Sequence, residues 1–195
     1  MDFDPIIDRH EGNEFETILL EKAVINKAEE LSKDIFSQYF TAPSTDLILI
    51  SQNSSSNMFS ADILNNLKKQ YDAKYPGKKF ENSGIKSYTS DKLNNPSGLS
   101  GKRVLISNII IDERNKGEIQ TLLQSLSRGE QKPSSISLCT FISQLSDMEE
   151  KKLGIPYLGH PFPDNILLSG YGISTGDGEL DLRSSQRVIY AKAKE

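Results

Sequence analysis

Three apolar runs, separated by amphipathic segments, constrain the fold of this chain more than any other feature. The runs are "DLILI" at 46–50, "RVLISNIII" at 103–111 and "SSISLCTFI" at 134–142. They are too apolar for strands that expose one face to water, and they are typical of strands buried on both faces. Between them, apolar residues recur at helical spacing: Val24, Ala28, Leu31 and Ile35; Phe59, Ile63 and Leu67; Ile119, Leu122, Leu123 and Leu126. The pattern predicts an α/β fold with a parallel sheet and helices on both faces.

Further strands are predicted by three less regular segments. These are "KFENSGIKSY" at 79–88, "NILLSGYGI" at 165–173 and "QRVIYAK" at 186–192. The prolines of "LGHPFPD" at 158–164 favour a rigid loop instead, because proline cannot donate to a strand ladder.

Composition limits the classes of protein that this fold can represent. With 195 residues and 36% hydrophobic residues, one globular domain is expected. The net charge of -4 and the scattered Lys and Arg residues argue against a nucleic-acid partner. Cys139 is the only cysteine, and no apolar run approaches about 18 residues. The chain is therefore expected to be intracellular, cytoplasmic by default, without membrane insertion or a disulfide framework.

Two strand-to-helix junctions are the candidate ligand sites, because α/β sheets bind ligands where strands end and helices begin. The stretch "SQNSSSN" at 51–57 offers small hydrogen-bonding residues, although a serine-rich turn that caps the next helix is the alternative interpretation. At the second junction, Asn115 and Glu118 have the spacing of a capping box. Acidic residues there also disfavour a phosphate, so a structural role is expected for this junction.

The order of several short motifs resembles the hypoxanthine-guanine phosphoribosyltransferases, which have the type I phosphoribosyltransferase fold. The motifs are "ILLEKAVINKAEELSKDI", "ADIL", "IKSY", "LSGKRVLI", "IQTLLQSL", and "PDNILLSGYG" followed by "LDL". The resemblance extends from about residue 15 to the C-terminus. It implies an acidic N-terminal arm at 1–14 and a single phosphoribosyltransferase-like domain at 15–195, with a parallel sheet and helices on both faces.

The resemblance also shows which of the family's functional residues are replaced. The two ribose-binding acids correspond to Asn108 and Ile109, whereas Asp112 matches the candidate general base. The 5'-phosphate turn corresponds to 113–116, and the pyrophosphate loop to 53–56. Four single positions are also replaced: Phe141 stands in place of the purine-contacting Lys, Ile166 of the stacking aromatic, Ser174 of the magnesium-linked Asp, and Leu180 of the pyrophosphate-binding Arg. The replaced positions in the two loops and the acidic pair are Ser54, Ser55, Ser56, Asn108, Ile109, Glu113, Arg114 and Asn115.

These replacements predict a pseudoenzyme that serves as a structural or regulatory subunit of a larger protein assembly, with other proteins of that complex or a second copy of the chain as partners. The alternatives are a purine-nucleotide sensor at the old site and a divergent purine phosphoribosyltransferase. No cofactor is expected, and magnesium is implied only if the protein is an enzyme. A plugged pocket would favour the pseudoenzyme, whereas an open pocket lined by Asp112 and serines 54–56 would favour the sensor.

Overall fold

A computed structural model describes residues 6–10, 13–80, 86–89, 98–128, 132–164, 166–173 and 187–193. In chain order, the elements are β1 (Ile6–His10), β2 (Asn13–Leu19), α1 (Glu21–Tyr39), β3 (Leu47–Ser51), a 3-10 turn (Ser54–Ser56), α2 (Asn57–Lys74), β4 (Lys86–Thr89), β5 (Arg103–Ile111), α3 (Lys116–Arg128), β6 (Ser135–Ser143), α4 (Asp147–Leu153), β7 (Tyr157–Pro161), β8 (Ile166–Ser169) and β9 (Ile189–Ala193).

The main sheet is parallel and has the strand order β4-β3-β5-β6-β7. Its centre is the β3, β5 and β6 ladder, in which Leu47 is paired with Arg103, and Arg103 with Ser135. All five residues of β3 are buried, as are all but the first residue of β5. The strands predicted from the three apolar runs are therefore confirmed as the centre of the sheet.

Helices cover both faces of this sheet, as the spacing of the apolar residues predicted. On one face, the buried stripes of α1 and α2 pack against Leu49, Leu105 and Phe141. On the other face, Ile119 and Leu126 of α3 form a separate core cluster with strand residues that point the opposite way. Burial of such apolar faces contributes roughly 25 cal/mol per Å² removed from water.

The chain ends form a second sheet, which is antiparallel and has the strand order β1-β2-β9-β8. The two C-terminal apolar runs thus belong to this sheet and not to the parallel one, which corrects the sequence interpretation. Strand β1 pairs with β2 across the predicted boundary between the arm and the domain. Periodicity did not predict β1 and β2, because charged residues interrupt both segments.

The segment predicted as a rigid proline loop also contains a strand. Strand β7 joins the parallel sheet at the edge beside β6, where Thr140 is paired with Leu158 and Ile142 with His160. Pro161 occupies the last position of this edge strand, where a missing N–H is tolerated. The short helix α4, which precedes β7, buries none of its residues, so it gave no amphipathic signal.

The small sheet is attached to the parallel sheet through the turn after β8. A Cβ placed on Gly172, whose φ is +94°, would lie 2.1 Å from the carbonyl oxygen of Ser55. Glycine is therefore required at this contact, both for its backbone angle and for its size. Close by, the Tyr171 hydroxyl donates to Asp62 of α2 at 2.8 Å, and Arg187 donates to the same carboxylate at 2.8 and 3.0 Å.

Within the described ranges, no helix combines the length and the apolar content needed to cross a membrane.

Candidate functional site at the carboxyl end of the parallel sheet

The two candidate junctions lie side by side, because β3 and β5 are adjacent parallel strands. Ser51 and Ser107 are partners in the ladder, and the Gln52 N–H donates to the Ser107 carbonyl at 3.0 Å. The loops after β3 and β5 therefore occupy the edge at which a parallel α/β sheet binds its ligands.

The loop after β5 folds around the carboxylate of Asp112. Oδ1 accepts hydrogen bonds from the backbone N–H groups of Arg114 and Asn115 at 3.0 and 3.1 Å. Oδ2 accepts from Arg114 Nε and Nη2 at 2.8 and 2.5 Å, and only 9% of the Asp112 side chain is exposed. This turn is the one matched to the family's 5'-phosphate turn. Its backbone donors, which could bind the phosphate of a ligand, already bind the Asp112 carboxylate.

Asn115 completes this closed turn, and the predicted capping box is wrong. Its side chain points back along the chain, where Oδ1 accepts from the Asp112 N–H at 3.1 Å and Nδ2 donates to the Ile110 carbonyl at 2.8 Å. Glu118 does not reach back to it, since the Asn115 N–H binds Asp112 and Glu118 Oε2 lies 3.5 Å from Gln52 Nε2.

Ion pairs connect the same turn to α4. Lys116 Nζ donates to Glu113 at 2.7 Å and also contacts Glu149. The hydrogen bond from Lys116, together with bonds from Ser146, lowers the pKa of Glu149 to about 2. The two carboxylates correspondingly raise the pKa of Lys116. The turn's lysine is thus paired internally, and the position of Glu113 is explained by this pairing.

The loop after β3 is closed by Asn53 and Ser56. Asn53 Oδ1 accepts from the Ser56 N–H at 3.0 Å and from its hydroxyl at 2.9 Å. The Ser56 hydroxyl also accepts from the Ile109 N–H at 3.1 Å, so it joins the loop to β5. The structure supports the serine-rich turn, although the Ser56 side chain does not cap α2. Ser54 is placed in the 3-10 turn, but its side chain is outside the described groups, while Ser55 contacts Gly172 through its backbone.

The positions matched to the ribose-binding acids are fully buried and do not fit a magnesium–pyrophosphate group. Asn108 Nδ2 donates to the Ile110 carbonyl at 2.6 Å, and its Oδ1 lies 3.3 Å from the Ser56 hydroxyl. Ile109 is apolar and contributes to the core beneath α2. A divalent cation of this type prefers carboxylate and water oxygens, and neither side chain supplies a carboxylate.

Phe141, which stands in the position of the purine-contacting Lys, is fully buried in an aromatic cluster. Its ring centroid lies 5.0 Å from that of Tyr171, 5.4 Å from Phe59 and 5.6 Å from His160. Burial, followed by the neighbouring Asp62, raises the pKa of the Tyr171 hydroxyl, which therefore stays protonated and donates. This part of the candidate site is filled by side chains.

Ile166 begins β8 and packs against the same core, while its carbonyl accepts from Gln144 Nε2 at 3.0 Å. Ser174 and Leu180 lie outside the described residues. Their assignments remain predictions.

Two cavities formed by described residues lie away from Asp112. One, of about 450 Å³, lies between α1 and α2. The other, of about 800 Å³, lies beside α3 and is lined by Gln52, Asn53 and Glu118 among others. Neither is lined by Asp112 or by serines 54–56, which was the arrangement expected of a sensor. In the part of the chain that the structure describes, no three His, Cys, Asp or Glu residues are grouped as a metal site.

Two further side chains with reactive groups, Cys139 and His160, have packing roles. Cys139 is fully buried, and this burial raises the pKa of its thiol, so it is a poor nucleophile. His160 packs on Phe141, and burial lowers its pKa. Sequence reasoning missed the roles of Tyr171 and Asp62; the glycines on either side of Tyr171 were the available signal for a constrained turn.

These two sheets, with the loops after β3 and β5 side by side at one edge, define an α/β fold of the phosphoribosyltransferase type. More particularly, the fold is that of the hypoxanthine-guanine phosphoribosyltransferases. One such enzyme from Bacillus anthracis is 20% identical, with a TM-score of 0.64 over 97% of this chain and 99% of that chain. The Leishmania tarentolae enzyme in complex with GMP is 16% identical, with a TM-score of 0.68 over 93% and 98% of the two chains.

A third similar structure is the hypoxanthine phosphoribosyltransferase of Trypanosoma cruzi in complex with the product IMP. It is 17% identical, with a TM-score of 0.63, and the alignment covers 96% of this chain and 94% of that chain. No protein-family model and no curated protein matches the chain. At these identities the likeness establishes the fold, and the fold alone does not establish an activity.

Proposed function

We propose that this chain is a pseudoenzyme with the hypoxanthine-guanine phosphoribosyltransferase fold and that it acts as a structural or regulatory subunit of a larger protein assembly. One observation carries the proposal. The Asp112 carboxylate accepts from the backbone N–H groups of Arg114 and Asn115, in the turn that the resemblance matches to the 5'-phosphate site. A bound phosphate would have to displace this carboxylate, and the two anions would repel each other at close range.

Two further contacts support the proposal. A general base must accept a proton from its substrate, but Asp112 Oδ2 is held by the Arg114 guanidinium at 2.5 and 2.8 Å. The position matched to the purine-contacting Lys holds the buried Phe141 ring, which has no polar group that could donate to a purine. When several contacts to the transition state are lost together, the catalysed rate falls by more than a single compensating contact can restore.

Isothermal titration calorimetry of the purified chain tests the catalytic half of the proposal. We expect no binding of phosphoribosyl pyrophosphate with magnesium, of GMP or of IMP at ligand concentrations up to about 1 mM. An active phosphoribosyltransferase, titrated in the same buffers, is the positive control. Micromolar binding by the wild-type chain that is lost in Asp112→Asn would overturn the proposal.

The assembly half is tested in extracts of the chain's own cells. We expect the tagged chain to sediment as part of a particle heavier than its own oligomers, and Asp112→Asn to sediment identically. Sedimentation only at the size of the purified chain would contradict a role as a subunit.

The second candidate is a divergent purine phosphoribosyltransferase, which is favoured by the nearly complete coverage of the matched enzymes. Incubation with guanine or hypoxanthine, phosphoribosyl pyrophosphate and magnesium distinguishes the two. Formation of the nucleoside monophosphate that Asp112→Asn abolishes would establish the enzyme and exclude the pseudoenzyme.

A further inference from the structure

The amino end of the parallel sheet, opposite to the loops described above, presents a group of lysines. This end is formed by the C-terminal ends of α1 and α2 and by the segments that lead into β3, β5 and β6. Its lysines are Lys74, Lys78, Lys79, Lys102 and Lys132, and we refer to them together as the basic edge. The whole chain has a net charge of -4, so this end differs in sign from the average of the molecule.

Contacts between the segments join the basic edge into one surface. Lys74 Nζ donates to the Phe40 carbonyl at 2.8 Å, which fixes the end of α2 to the end of α1. Lys102 forms an ion pair with Asp46, and its carbonyl accepts from the Ser134 N–H at 2.8 Å. The segments before β3, β5 and β6 therefore lie side by side, as the strands themselves do.

A tight turn after α2 presents Lys78 and Lys79. The Lys78 N–H donates to the Tyr75 carbonyl at 3.1 Å, and Gly77 has a φ of +80°, as a type II turn of sequence Pro-Gly requires. Directly after the turn, the Phe80 ring is buried in the core. The backbone of the two lysines is thus held in place, which reduces the ordering cost when a partner binds.

Three of the five ammonium groups are without an acidic partner in the described ranges. Lys78, Lys79 and Lys132 are exposed, and none of them forms an ion pair with another described residue. The carboxylates on the described segments of this end are Asp46, which is already in an ion pair, and Asp72, which lines the groove between α1 and α2. Such a concentration of one charge creates a potential that attracts an anionic partner.

The chemistry of the basic edge favours carboxylates over phosphates, nucleic-acid bases or lipids. Planar phosphate recognition typically uses an arginine fork, but the Arg103 guanidinium at this end is directed to the ring and the carbonyl of Tyr39. Bases and lipid chains require exposed aromatic or apolar side chains. Among the described residues, the exposed large hydrophobic side chains are Leu20, Ile25 and Met148, and none of them lies on these segments.

We propose that the basic edge binds an extended segment of another protein that is rich in Asp and Glu. The four neighbouring strands from β4 to β6 span about 15 Å, which an extended segment of about five residues crosses. The chain's own acidic arm is not this segment. Its described part, Ile6–His10, is paired with β2 in the small sheet, which is attached at the carboxyl end of the parallel sheet. The inference rests on the role of a subunit proposed above and specifies the chemistry of one partner.

Fluorescence anisotropy of the purified full chain with a labelled peptide of about ten glutamates tests the proposal. The wild type binds the peptide with a dissociation constant of roughly 10–100 µM at about 50 mM salt, and the constant rises at least about fivefold at about 200 mM salt. The double variant Lys78→Glu, Lys79→Glu raises the constant at least about tenfold at the lower salt concentration.

The matched control is the double variant Lys151→Glu, Lys152→Glu in α4. It also reverses two consecutive exposed lysines, so the net charge changes equally, but the site lies away from the basic edge. We expect its dissociation constant to stay within about twofold of the wild-type value, since screening weakens distant charges. Circular dichroism verifies that both variants are folded.

Two further probes test the chemical class of the partner: a thymidine oligonucleotide of about ten nucleotides, and vesicles with about 30% phosphatidylserine. We expect both to bind more weakly than the peptide. Tighter binding of either probe that the double variant of Lys78 and Lys79 abolishes overturns the assignment to an acidic protein segment. Absence of peptide binding at low salt overturns the proposal, as does an equal loss in the two double variants. A chain that fails here but sediments in a heavier particle retains the proposed function, so the two failures are distinguishable.

Discussion

The carboxyl end of the parallel sheet and the groove between α1 and α2 differ in how their polar groups are paired. At the carboxyl end, Asp112 bonds to Asn115 and Asn53 bonds to Ser56, and the adjoining space contains aromatic rings. In the groove, by contrast, the partly buried Glu29 forms no ion pair with another described residue, although Lys69 lines the same groove. The difference indicates that the edge where this fold generally binds ligands is closed by its own side chains, whereas the outer helical surface is not.

The largest expected effect comes from emptying the aromatic cluster. Phe141→Ala should lower the free energy of unfolding by about 3–5 kcal/mol, because a fully buried ring is replaced by a cavity. Urea denaturation measures the change. Met148→Ala, on an exposed site, should stay within about 0.5 kcal/mol of the wild type. A Phe141 variant of nearly wild-type stability would show that this position is an open pocket.

The closed turn should be the next most sensitive feature. Asp112→Ala should lower the free energy of unfolding by about 1–3 kcal/mol, because two backbone donors and the Arg114 guanidinium lose their acceptor. Asp112→Asn should cost less, since its amide oxygen can still accept from the backbone. Chemical denaturation of the three proteins measures the order, and equal stability of all three would mean that Asp112 is not a structural residue.

The aromatic cluster also predicts a pH dependence through His160. Burial lowers the pKa of His160 below its ordinary value, an effect that Lys27 reinforces and Glu30 opposes. The folded protein therefore takes up this proton less readily than the unfolded chain. The contribution of the neutral His160 imidazole to the free energy of unfolding is therefore fully present above about pH 6.5. It declines as the pH falls toward the folded-state pKa.

Urea midpoints at pH 7.5 and 5.5 measure this decline, and His160→Gln provides the comparison because it removes this imidazole and leaves every other titratable side chain in place. We expect the wild type to lose more stability than His160→Gln between the two pH values. A larger loss in the variant would show that the folded state favours the charged imidazole.

The smallest expected effect lies in the groove between α1 and α2. Glu29→Gln should change the free energy of unfolding by less than about 0.5 kcal/mol. The carboxylate has no ion pair to lose within the described part of the chain. A loss above about 1 kcal/mol would reveal an internal partner for Glu29 and would remove the contrast between the two regions.

Much of the fold could be predicted because the relevant signals are local. The runs that became β3, β5 and β6, and the stripes of α1, α2 and α3, are visible as apolar spacing in single segments. The second sheet could not be predicted in the same way, because β2 pairs with β9 from the other end of the chain. Helix α4 buries no residue, and the prolines around β7 conceal an edge strand.

The residues of the candidate site could be listed from the sequence, but their contacts could not. Whether Asp112 faces a ligand or its own turn depends on backbone angles that residue spacing does not determine. The predicted pairing of Asn115 with Glu118 failed for this reason, since Asn115 bonds backward to Asp112 and Ile110. The burial of Phe141 by Tyr171 depends on the attachment of the small sheet, which no local pattern reports.

The most direct test of the central claim is a backbone amide NMR titration of the isotopically labelled chain with phosphoribosyl pyrophosphate and magnesium. Because the Asp112 carboxylate already accepts from the Arg114 and Asn115 amides, their resonances should not move at ligand concentrations up to about 1 mM. Saturable shifts of both resonances at micromolar ligand would contradict the account, since they would show that the turn still binds a phosphate.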